Sequence, residues 1–186
     1  MTNLLYKASI VTTPTAYGVG VLNSIKPAIP FGEELIVNGS FNTSIPLGTP
    51  GSGWSTVIDG TNTVAYSNGG VKLTRVNTSE CKLYANTIGG STTVLTSGKK
   101  YKLTYQVLSV TSNPVLRYFN GGGYVTVSNE IGVHSLNFVQ GATGLSVFYN
   151  TTDNTDITID NVSVVEQTDA DFDFTRTSSA TRVNPD

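Results

Sequence analysis

KKYKLTYQVLSV, residues 99–110, is the stretch from which the fold of this 186-residue chain can be read. Tyr101, Leu103, Tyr105 and Val107 fall on one parity, and Lys100, Lys102, Thr104 and Gln106 on the other. Successive side chains of a strand point to opposite faces, so an apolar and a polar parity describe an antiparallel strand with one face in a core and one in water. On a helix the same residues would be scattered around the circumference.

The pattern repeats outward from there. VKLTRV, residues 71–76, sets Val71, Leu73 and Arg75 against Lys72, Thr74 and Val76. Further strands are expected at residues 63–67, 82–87, 114–119, 124–128, 134–139 and 145–149. Turn residues separate them: Asn68-Gly69-Gly70, Gly89-Gly90, Ser97-Gly98, Gly121-Gly122-Gly123 and Asp153-Asn154. In ITIDNVSVVE, residues 157–166, the apolar phase moves from Ile157 and Ile159 to Val162 and Val164, which predicts a bulge at Asp160-Asn161. About eight to ten short strands within residues 34–167 predict an all-β fold, an antiparallel two-sheet β-sandwich of jelly-roll type.

The flanks read differently. Residues 1–33 carry Pro14, Pro27 and Pro30 and apolar residues without strand or helix period, among them Leu4, Leu5, Tyr6, Tyr17, Leu22 and Ile25. Residues 168–186 alternate acid and aromatic at Asp171, Phe172, Asp173 and Phe174, then space Arg176 and Arg182 across a Thr/Ser stretch. A passive linker would be rich in Gly, Ser or Pro and poor in aromatics. Aromatic and Arg side chains dominate interface energies. Both flanks are therefore expected to be extended docking segments, 1–33 and 168–186, with Leu5, Tyr6, Tyr17, Phe172, Phe174, Arg176 and Arg182 as assembly anchors.

Bulk composition excludes several classes of function. The formal net charge is −2 and the pI about 5.3, so no basic field attracts nucleic acid. No apolar run approaches the roughly 20 residues of a membrane span, so no membrane insertion is expected. Cys81 is the single cysteine and cannot form an intrachain disulfide. Charged residues are 13%, about half the globular average, and Thr, Ser, Asn and Gly fill the gap. The N-terminus has no pattern of basic residues leading into an apolar run, so no signal peptide is read there. The Asn-x-Ser/Thr sites at Asn38, Asn42, Asn77, Asn150 and Asn161 then carry no message. An exposed β-protein made in a reducing host cytoplasm fits a virion component released by lysis.

Catalysis is not expected. His134 is the single histidine and shares strand phase with Leu136 and Phe138. Cys81 has no nearby His, no Gly-x-Ser-x-Gly elbow is present, and Asn120–Gly123 lacks the Lys-Ser/Thr of a phosphate loop. Glu80, Glu130, Asp153, Asp156 and Asp160 show no pairing of the kind glycoside hydrolysis uses. Sugar binding needs aromatic faces for pyranose rings and polar groups for hydroxyls. Tyr66, Tyr84, Tyr118 and Tyr124 are candidates, with Tyr149 and Trp54 beside them, and Trp54 after Gly53 reads as structural.

Two resemblances attach to these residues. ELIVNGSFN (residues 34–42), Gly53-Trp54 and ITIDNVSVVE together resemble the opening and closing strands of jelly-roll carbohydrate-binding modules. The resemblance implies paired end strands, a glycan ligand and a structural calcium beside those strands, for which Asp160 and Asn42 are the matching positions. Asn42 stands where that family commonly has an acid. The ends, LLYKASIVTTPTAYGVGVLNSIKP and DFDFTRTSSATRVN, are similar to segments of tailed-bacteriophage fibre and appendage proteins. That similarity implies a non-enzymatic virion structural protein (head fibre, capsid decoration or tail fibre anchor) with the sandwich inserted between its docking ends. Its partners would be capsid or tail proteins and further copies of itself, with a trimer expected from symmetric attachment. The alternative is a carbohydrate-binding module of a secreted glycan-active protein.

Overall fold

The computed structural model describes residues 31–42, 45–85, 95–144 and 146–167, with the backbone of 17–18 and 21–22. The chain divides into two units, Phe31–Gln167 and a second made of Met1–Pro30 with Thr168–Asp186. In the second unit β1 (Tyr17–Gly18) pairs antiparallel with β2 (Val21–Leu22). The anchors Leu5, Tyr6, Phe172, Phe174, Arg176 and Arg182, the Tyr17 side chain and the Gly89-Gly90 turn lie outside the described residues.

Phe31–Gln167 is an antiparallel β-sandwich of jelly-roll type. One sheet has five strands in the order β10 (Tyr124–Thr126), β9 (Leu116–Phe119), β12 (Val147–Asn150), β7 (Cys81–Ala85), β4 (Trp54–Ile58). The other runs β11 (Gly132–Val139), β8 (Lys100–Thr111), β13 (Thr155–Gln167), β6 (Gly70–Arg75), β5 (Thr63–Ser67). Its sixth strand, β3 (Phe31–Glu34), pairs with the far end of β13. Residues 31–33, assigned by pattern to the N-terminal segment, thus belong to the sandwich, because Gln167 offers its backbone to Phe31.

The core lies between the sheets. Tyr101, Leu103, Tyr105 and Val107 point inward from β8, as their parity requires, and meet Leu83, Leu116, Tyr118 and Phe148 from the five-stranded sheet. Tyr118 stacks edge-on against Phe148 and Phe138, with centroids 5.3 Å from each. Each fully buried large apolar side chain is worth about 1.5–3 kcal/mol. That burial holds together strands that are far apart in sequence.

β13 carries the bulge expected at Asp160-Asn161. Asp160 faces Gln106 and Ser163 faces Thr104, so Asn161 and Val162 together stand opposite Tyr105. A second irregularity leaves Leu108 extra on β8, between the pairs Thr158 with Ser109 and Ile159 with Val107. The two shifts oppose one another, and the register after them matches the register before. Asn161 takes φ +48°, a left-handed conformation that Asn tolerates better than most residues.

Beside the bulge, where β3 has ended, side chains and turns replace strand pairing. The Glu34 carboxylate accepts from the Val164 amide at 3.0 Å and the Ile36 amide at 2.8 Å. The Gly39 carbonyl accepts from the Val162 amide at 2.8 Å. No buried backbone donor along this stretch of β13 at Val162 and Val164 is thereby left unpaired.

Candidate functional site

The outward face of the five-stranded sheet collects four aromatics that are not buried, Tyr84, Phe119, Tyr124 and Tyr149. Strand register sets two rows across it. The first runs Tyr124, Phe119, Val147, Tyr84, Ser55, and the second Thr126, Arg117, Tyr149, Lys82, Val57. Each residue is the outward parity of its strand, whose other parity (Leu116, Tyr118, Leu83, Phe148) is core. Tyr124 lies 5.2 Å from Phe119 and 5.4 Å from Tyr149, centroid to centroid, so three rings form one patch.

Cations are set among these rings. The Lys82 ammonium stands 4.9 Å from the Tyr149 centroid and 5.5 Å from that of Tyr124, and pairs with the Glu80 carboxylate. Desolvation works against its charge, but the bond to Glu80 and the Tyr124 phenol outweigh that, so its pKa lies above the ordinary lysine value. Arg75 arrives from the other sheet and is 5% exposed. Its Nη1 donates to Tyr149 Oη at 3.1 Å and to the Asn150 carbonyl at 3.0 Å, while Nε donates to Asp153 at 2.8 Å. A buried guanidinium with three acceptors pins the Tyr149 ring in place. The result is a preorganised surface of flat apolar rings rimmed by fixed polar groups, suited to stacking on a sugar and receiving its hydroxyls.

The tyrosines singled out in the sequence separate here. Tyr84 and Tyr124 lie on this face, as does Tyr149. Tyr118 is a correction: it is 0% exposed, shares a 2.8 Å hydrogen bond with Ser146, and its burial pushes its pKa up. Its parity along β9 is that of Leu116, so it fills the core and offers no face to a ligand. Tyr66 stands on the other sheet, edge-on to Phe41, lining a cavity of about 230 Å³ with Asn42, Asn68 and Gly69. Trp54 is buried, as expected of a structural residue. Phe119 was missed by sequence reasoning. LRYF sets Phe119 on the parity of Arg117 and Tyr118 on that of Leu116, and with an aromatic on each parity the sequence alone does not say which faces outward.

His134 and Cys81 have structural surroundings. His134 Nε2 lies 2.7 Å from the Glu130 carbonyl, and its ring packs 5.5 Å from Tyr105. Burial pushes the Cys81 thiol up to about 11, which leaves it protonated and unreactive at neutral pH. Among the described residues no group of three or more His, Cys, Asp or Glu side chains is placed to hold a metal ion.

No protein-family model matches the sequence, and no curated protein matches it. Solved structures do. The chain is similar to the CBM22-1–GH10 modules of the Clostridium thermocellum endo-1,4-beta-D-xylanase 10B, complexed with xylohexaose. Identity there is 15% and the TM-score 0.47, over 76% of this chain and 30% of that one. It is also similar to the CBM22-1 xylan-binding domain of Paenibacillus barcinonensis Xyn10C, at 15% identity and TM-score 0.43, over 77% of this chain and 100% of that one. A third similarity is to the enzymatically active domain of bacteriophage CBA120 tailspike protein 4, at 13% identity and TM-score 0.42, over 72% and 21% of the two chains. Likeness this distant transfers no ligand and no role in assembly.

Asp160 and Asn42 are placed differently from one another. Asp160 Oδ1 is buried without a hydrogen-bond partner, and desolvation raises its pKa above 3.8, with the Asn161 backbone working the other way. Asn42 is exposed and donates from Nδ2 to Ser40 at 2.9 Å. A carboxyl whose folded pKa exceeds its unfolded value binds its proton more tightly when folded. Its contribution to stability is therefore greatest at low pH and declines as pH rises above 3.8 through the folded pKa. Asp160→Asn is expected to remove that decline, so that the variant's Tm rises relative to the wild-type Tm from pH 3 to pH 7 in metal-free buffer. A constant difference across that range would refute the assignment.

Proposed function

We propose that this protein is a non-catalytic glycan-binding module whose ligand lies on the outward face of the five-stranded sheet. The observation that carries the reading is the patch of Tyr124, Tyr149 and Phe119 rings, with Tyr84 in the same row and Lys82 and Arg75 fixing the tyrosines. Such rings in water would be an unfavourable surface without a partner for their faces. A glycan array at millimolar ligand is the primary test. Tyr124→Ala and Tyr149→Ala are each expected to weaken the glycan found by at least about fivefold, roughly 1 kcal/mol. An array without any hit would refute the reading.

A second reading concerns where the module works. The two ends of the chain form one unit and the sandwich the other, and the sequence of the ends is rich in docking side chains. This favours a virion structural protein, made in the host cytoplasm and attached to capsid or tail proteins, over a module of a secreted glycan-active protein. A homotrimer fits symmetric attachment. In its support, β11 is an edge strand with Val133 and Val139 exposed and no charged residue from 131 to 139. Deleting residues 1–30 and 168–186 should leave a cooperatively melting domain that no longer enters particles. Normal incorporation of that domain would exclude the docking role.

A structural calcium at Asp160 is a further part of this proposal, supported by its unpartnered buried oxygen. Calcium should raise the wild-type Tm, EDTA should reverse the rise, and Asp160→Asn should lose the response.

A further inference from the structure

Among the described residues, Arg117 is the lysine or arginine without an acid, acceptor or ring for its charge. Lys72, Arg75, Lys82 and Lys99 each have a carboxylate, Lys102 lies over the Phe31 ring, and Lys100 is also engaged. Arg117 is exposed and outward on β9, the middle of the patch, directly across from Tyr149 and next to Thr126. Lys82 flanks Tyr149 from the opposite side. Neighbouring strands lie about 4.8 Å apart, so the backbones that carry Arg117 and Lys82 are about 10 Å apart, with the strand of Tyr149 between them.

We propose that the ligand of this face is an acidic glycan, its ring stacked on Tyr124 and its carboxylate or sulfate held by the Arg117 guanidinium. This rests on the glycan-binding reading above and adds the chemical class of the sugar. Lys82 is already neutralised by Glu80, which leaves Arg117 as the charge available to a ligand. A guanidinium presents two parallel N–H donors to a carboxylate or sulfate. The overall charge of −2 gives polyanions no general attraction to the protein, so selective binding would have to arise at a local site.

Matched probes isolate the charge. The intact chain would be titrated with polygalacturonate and its methyl ester, with glucuronoxylan and arabinoxylan, and with dextran sulfate and dextran. The expected result is that the acidic member of at least one pair binds about tenfold more tightly at low salt, with the margin shrinking as salt rises. R117Q should bring the ratio within that pair close to one, and Tyr124→Ala should weaken the acidic member as well. Equal binding within every pair that binds would overturn the acidic assignment and leave the glycan-binding reading standing. Acidic binding that R117Q leaves intact would also overturn it. No binding to any probe, charged or neutral, would overturn both.

Discussion

Trp54→Ala is expected to lower the unfolding free energy of the sandwich by about 3–5 kcal/mol, a large part of the roughly 5–15 kcal/mol that holds a domain of this kind together. The indole is 0% exposed and packs 5.0 Å from the Phe41 ring, so alanine leaves a cavity between the start of β4 and the 38–41 turn. It also removes a hydrogen bond. Trp54 Nε1 donates to the Asn38 carbonyl at 3.0 Å, and Asn38 in turn donates from Nδ2 to the Ser52 carbonyl at 3.1 Å. These contacts tie the 38–41 turn to the start of β4. Urea denaturation would show a lowered midpoint at an unchanged slope. A loss below about 1 kcal/mol would mean that the turn is held by something other than the indole.

Gly39→Ala should be the next most damaging change, for a backbone rather than a side-chain reason. A Cβ at residue 39 would sit 1.8 Å from the Val162 carbonyl oxygen and 2.9 Å from its carbon. Those atoms belong to the bulged segment of β13, whose Val162 amide bonds the Gly39 carbonyl. Neither backbone can retreat without breaking that bond and the neighbouring Glu34 contacts. The cost is expected at about 3 kcal/mol or more, the upper end of overpacking penalties. Gly69→Ala makes a useful contrast: no atom lies within 4 Å of its added Cβ, so any loss there reflects only its φ of +84°. Thermal melts of the two variants separate steric contact from backbone preference. Equal losses would show that the close approach at Gly39 is relieved by movement.

Both predictions explain the sequence signature of residues 34–42 in physical terms. Glu34 satisfies the β13 amide that β3 no longer reaches, and Asn38 takes φ +53°. Gly39 permits the approach to Val162, and Phe41 fills the space beside Trp54. Glu34 and Gly39 answer to β13, and Phe41 to Trp54 at the start of β4.

What the sequence by itself determined is local. Strand parity follows from backbone geometry, which turns each side chain to the face opposite its neighbour. For that reason the inward set Tyr101, Leu103, Tyr105 and Val107 and the phase break at Asp160-Asn161 were legible without coordinates. Parity does not say which face is inside when both carry aromatics, as in LRYF, and there the choice of Tyr118 as a sugar contact failed. Only the tertiary structure decided that Leu116 and Tyr118 turn to the core, because that choice depends on what the facing sheet supplies. It also decided that Tyr84, Phe119, Tyr124 and Tyr149 share one surface. β12 lies between β7 and β9, and β10 follows β9, so residues remote in sequence become neighbours across strands. Strand order of that kind is set by the summed burial of two whole faces, a quantity that no single stretch of sequence contains.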